Sequence, residues 1–134
     1  MAVTQTVYPQ SKRVRATIAQ VNAGLELLPA LAGYAYRLIR ATAISVGGAA
    51  AAVTTVDILG TQAAASVKLV AYAQASLTQS AQLTSGGTGA AILADGASFV
   101  ANDANTAITV GKTGSSVTTA THIDLDLLYE VVSA

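Results

Sequence analysis

From Ile123 to Val131 the odd positions are Ile, Leu, Leu, Tyr and Val, while His122, Asp124, Asp126 and Glu130 fill the even ones, with Leu128 the exception. Side chains alternate across a strand with period two, so this stretch has one dry face and one wet, acidic face. A helix would scatter those carboxylates around its circumference. The segment is a well-specified β-strand, and the rest of the chain must build the sheet that it joins.

Upstream, the text divides into short β-like runs separated by turn residues. Met1 to Val14 is polar, contains Pro9 and shows no sustained period, which reads as an extended arm, with one β domain over residues 15–134. The runs expected as strands are Arg15–Val21, Leu25–Leu28, Tyr34–Val46 with an apolar even face interrupted by Arg40, Val53–Leu59, Val67–Ala75, and, more weakly, Leu77–Leu83. Ala90–Leu93 and Ala97–Ala101 flank Asp95-Gly96, a tight-turn pair; Thr106–Val110 and the closing strand flank a loop at Gly111–Gly114. The alanine runs allow a short helical turn near Thr61–Ser66 or Gly47–Ala52, but each is followed by β-branched residues that favour strand. Short strands at this spacing, punctuated by Gly and Asn/Asp, indicate an all-β sandwich or barrel.

Composition narrows the function. The chain of 134 residues is 52% hydrophobic but 4% aromatic and 10% charged, against about 25% charged in typical domains. Much of the apolar content is Ala, so the exterior is smooth and weakly hydrated, suited to being covered by copies of itself or by another protein. Net charge is zero, with Lys12, Arg13, Arg15, Arg37 and Arg40 gathered in the first forty residues. A balanced charge with few aromatics argues against a nucleic-acid partner. Without cysteine there is neither a disulfide nor a thiolate site, which suits assembly in a reducing cytoplasm. No secretory signal is visible and no apolar run reaches the roughly 18 residues of a spanning helix, so no membrane partner is expected.

Motifs for chemistry are sparse. His122, Asp124 and Asp126 could in principle hold a cation, but same-face residues lie about 7 Å apart along a strand, too far to converge easily. A solvated strand face is the better account, and no metal or cofactor is expected. Gly111-Lys112-Thr113 fails as a phosphate loop because position 106 is Thr106 where Gly is required, and Asn102–Asn105 lacks the ordered carboxylate spacing and the closing Glu of a calcium loop. A single His and no Cys leave little material for a catalytic triad. Activity as an enzyme is not expected.

The order Ala19-Gln20-Val21-Asn22-Ala23-Gly24, Leu27-Leu28-Pro29-Ala30, Gly33–Leu38, Gly47-Gly48, Val56–Gly60, Gly96–Phe99 and Ile123–Tyr129 resembles small structural proteins of tailed bacteriophages, among them capsid decoration or cement proteins. The resemblance covers residues 16–132. It implies a jelly-roll-like antiparallel β-sandwich, often trimeric, on the outer surface of the virion head where major capsid protein subunits meet. In that reading the cations Lys12, Arg13 and Arg15 tether the domain to the capsid. The alternative is a fibre, tail or vertex module binding a host glycan, with Tyr34 and Tyr36 as a stacking platform. A metal-dependent hydrolase using His122, Asp124 and Asp126 is a third reading.

Overall fold

The computed structural model describes residues 9–84 and 101–133. Among the described residues, eight strands are β1 (Gln10–Thr17), β2 (Leu25–Leu28), β3 (Tyr34–Val46), β4 (Ala50–Gln62), β5 (Ala65–Ala73), β6 (Gln82–Thr84), β7 (Ile108–Thr119) and β8 (His122–Ser133), with one α-helix, α1 (Ile18–Ala23), and a single 3-10 turn at Gln74–Ser76. They form two four-stranded antiparallel sheets, β1-β8-β3-β6 and β2-β7-β4-β5. The chain passes from one sheet to the other at nearly every connection, which produces the jelly-roll-like sandwich. Closing strand β8 lies between β1 and β3, and its odd side chains Ile123, Leu125 and Leu127 are fully buried. Val56, Ile58, Ile108 and Val110 meet them from the second sheet.

Several elements depart from the sequence-based expectation. Gln10–Val14 is not an arm: it pairs residue for residue with β8, from Gln10↔Tyr129 to Val14↔Leu125. Its alternation was hidden because Lys12 occupies an inward position, where Val14 and Ala16 are the apolar members. The run Arg15–Val21 is divided between β1 and α1. Thr17 caps the helix, its hydroxyl accepting from the Gln20 amide at 3.2 Å while Gln20 Oε1 accepts from the Thr17 amide at 2.9 Å. This capping box outweighs the β preference of Ile18 and Val21. Gly24 (φ 86°) then turns the chain into β2.

The apolar face of β3 changes phase. A bulge between Leu38 and Arg40 leaves Tyr36 and Leu38 inward, then turns Ala41, Ala43 and Ser45 inward and Arg40 out. One extra residue reverses the alternation, so Ile44 and Val46 leave the expected face. Across the interior, Tyr72 of β5 donates its hydroxyl to the Ala41 carbonyl at 2.8 Å.

The Gly111–Gly114 stretch is no loop. It runs through β7, where Gly114 (φ 89°) serves an irregular register with β4, and a Cβ there would collide with the Thr54 side chain. Neither expected helical turn forms: Ala63 and Ala64 (φ 52° and 61°) make a two-residue β4–β5 hairpin turn, and residues 47–52 turn into β4. Leu77–Leu83 contributes only the start of β6, and Thr106–Val110 only the start of β7. The expected strands around Asp95-Gly96 lie outside the described residues, apart from Ala101, which is not in a strand.

Candidate functional site

The outer face of the first sheet collects half of the chain's Lys, Arg, Asp and Glu side chains. Alternation points Arg13 and Arg15 outward from β1, Asp124, Asp126 and Glu130 from β8, and, through the bulge, Arg37 and Arg40 from β3. Register sets Arg15 opposite Asp124 and Arg13 opposite Asp126. Arg15 forks onto Asp124, with Nε to Oδ1 at 2.8 Å and Nη2 to Oδ2 at 2.9 Å. Those hydrogen bonds hold the Asp124 carboxyl below the usual carboxylate range against the opposing effect of partial burial; the charges of Arg15, His122 and Arg13 add to the lowering. The Arg15 guanidinium is raised in return. Arg37 meets Glu130 through Nε at 2.8 Å and Nη2 at 2.6 Å.

Among the described residues, Arg13, Arg40 and Asp126 form no ion pair. Asp126 lies between two adjoining troughs that run over β8. One, about 300 Å³, is lined by Arg13, Thr42, Ile44, Gln82, Asp124 and Asp126. The other, about 200 Å³, is lined by Ser11, Arg40, Thr42, Thr84, Asp126 and Leu128.

The three cations expected to act together are divided. Arg13 and Arg15 share the outer face, but Lys12 points the other way and its Nζ donates to the Leu27 carbonyl of β2 at 2.9 Å, joining the two sheets at their open side. A charge facing inward on an edge strand also discourages further strands from adding there. His122 lies beside Thr121, Nδ1 to Oγ1 3.1 Å, and Asp124 is engaged by Arg15. Among the described residues, no three His, Asp or Glu side chains come together as a metal ligand set.

The tyrosine platform does not form. Tyr36 is 3% exposed, its ring edge-on to Tyr129 at 5.7 Å and its hydroxyl donating to the Pro29 carbonyl at 2.5 Å. Burial raises its ionisation above the ordinary tyrosine value, with the neighbouring Tyr129 and Glu26 adding to the effect. Tyr34, at the strand end, is 49% exposed. It adjoins Leu31 (38% exposed), and Pro29 to Tyr34 form an exposed, uncharged loop at one end of the sandwich.

In the second sheet, Asp57 is 1% exposed and accepts from Thr55 Oγ1 and Thr113 Oγ1, both at 2.6 Å, with Lys68 Nζ at 3.8 Å. Its donors come from β4, β7 and β5, so this carboxylate ties three strands together. Sequence reasoning did not single it out. Its only signal was an acidic residue inside the apolar run Val56–Leu59.

No family model and no curated protein matches the chain. Among solved structures, it is similar to a chain from the acidic stable capsid structure of Helicobacter pylori bacteriophage KHP30, with TM-score 0.47 and 16% identity over 98% of this chain and 95% of that one. No residue role is carried from one chain to the other.

Proposed function

We propose that this chain is a structural protein of a tailed-phage particle, a decoration or cement protein seated on the outer surface of the head, where it bridges major capsid subunits. It acts by attachment and not by catalysis. The observation that carries this reading is the placement of Leu31 and Tyr34, the two large apolar side chains exposed among the described residues, together on the uncharged Pro29–Tyr34 stretch. A loop of this kind fits an apolar recess of a partner, while contacts repeated around a shell add strength that no single loop supplies. The resemblance of segment order to phage structural proteins points the same way. The buried carboxylate Asp57, held across three strands, and Asn22, bonded to the Val117 backbone, are occupied in holding the sandwich.

Heads stripped of the protein provide the test. Added back, the wild type should sediment with them and raise their resistance to heat. Leu31→Ala with Tyr34→Ala should reduce attachment at least ~10-fold, the loss expected from removing two anchoring side chains, while leaving the melting temperature of the free protein nearly unchanged. Full attachment by the double variant, or no attachment by the wild type, defeats the proposal.

A further inference from the structure

We propose that the outer face of the β1-β8-β3-β6 sheet is a self-recognition surface that pairs two copies of this chain about a two-fold axis. The face carries cations on β1 (Arg13, Arg15), anions on β8 (Asp124, Asp126) and cations again on β3 (Arg37, Arg40), in side-by-side columns. Alternating columns do not suit a uniformly acidic or basic partner. They do suit their own image. An axis lying in the interface, parallel to the strands and passing between β1 and β8, carries each β1 over the partner's β8.

Such a rotation keeps every residue at its level along the strands. Because Arg13 is in register with Asp126, and Arg15 with Asp124, each Arg13 is brought over the other copy's Asp126 at the same height. Arg15 and Asp124 already satisfy each other within one chain, which leaves Arg13 and Asp126 as the charges available for exchange. The trough of about 300 Å³ over β8 is where the partner's β1 side chains arrive. Sheets stack about 10 Å apart with strands nearly aligned, a geometry that these twisted faces can adopt.

The overlap is two strands wide and about 26 Å long, the length of the eight residues of β1. With its flanks this gives roughly 450 Å² per partner, at the small end for specific pairs, so the dimer is weak, reversible and salt-sensitive. The resemblance noted above implies trimers; a three-fold contact would not set each column against its opposite.

Sedimentation equilibrium over a range of concentrations tests the pairing. The wild type should dimerise reversibly, and its Kd should rise with salt. Arg13→Asp and Asp126→Arg should each weaken the dimer by ~10-fold or more, since each sets like charges face to face. An equimolar mixture of the two variants should recover dimer, because only the heterodimer restores opposite charges at both contacts, whereas an intrachain effect would not be mended by mixing. Should either variant fail to fold, Arg13→Gln and Asp126→Asn remove the charges at similar size and must still weaken the dimer. A wild type that stays monomeric at millimolar concentration, a trimer, or folded variants whose mixture does not recover would overturn the pairing. The head-attachment test is read separately, so either idea can fail alone.

Discussion

Asp103 shows how much one side chain can hold. Ala63 and Ala64 both adopt the left-handed conformation, which costs an L-residue roughly 1–2 kcal/mol and is normally left to Gly, Asn or Asp. Their amides point at one carboxylate: Ala63 N donates to Asp103 Oδ1 at 3.1 Å and Ala64 N to Oδ2 at 2.7 Å. The Asp103 amide in turn donates to the Thr61 carbonyl at 2.8 Å. An aspartate nearly forty residues downstream thus supplies what the turn residues themselves lack. Asp103→Ala should lower unfolding free energy by about 1.5–3 kcal/mol, the range for hydrogen bonds to a charged group, whereas Ala64→Gly should be neutral or stabilising; denaturant melts of both variants measure the difference. Asn102–Asn105 is legible in the sequence as turn chemistry, but its grip on a distant hairpin is not, because nothing local encodes a contact across that separation.

At the scale of elements, β2, β3 and β8 are legible almost to the residue, since each is bounded by Gly or Pro or carries a clear alternation. The miss at α1 has a specific cause: Ile18 and Val21 read as strand, although Thr17-x-x-Gln20 was in plain view as a helix start. The miss at β7 arose because glycines that usually mark loops here shape an irregular register. The candidate site was half legible. Alternation alone put His122, Asp124 and Asp126 on one face, but Arg15 lies 109 residues from Asp124 and Arg37 lies 93 from Glu130, so only strand register pairs them. Most of strand β1, Gln10–Val14, was missed, and this changes what a truncation would do. Deleting residues 1–14 removes more than half of β1, uncovers the edge of β8 and breaks the Lys12–Leu27 link between sheets. The truncated protein should melt at a markedly lower temperature, and its β8 amides should exchange hydrogen faster than those of the intact chain. Unchanged melting and exchange would mean that β1 contributes little to the sandwich.

For the molecule as a whole, the spread of ionisable groups sets its response to acid. The folded state lowers the Asp124 carboxyl, so its contribution is fully present above the ordinary carboxylate value of about 3.9 and is lost as pH falls from there through the lowered one. Comparing Asp124→Asn with the wild type by denaturant melts at several pH values should therefore show the largest stability gap near neutrality, closing below about pH 4. A gap that stayed constant would mean that the Arg15 fork contributes nothing to folding. The interior responds to a different constraint. Ala41 and Ala43 face inward only because β3 carries one residue more than an even pleat requires, and those small side chains leave room for Tyr72 to reach across to the opposite backbone. Losing a single residue near Ile39 would bring Ile44 and Val46 into that space and push the alanines out, so natural variation at this point is freer to change the side chain than to change the number of residues.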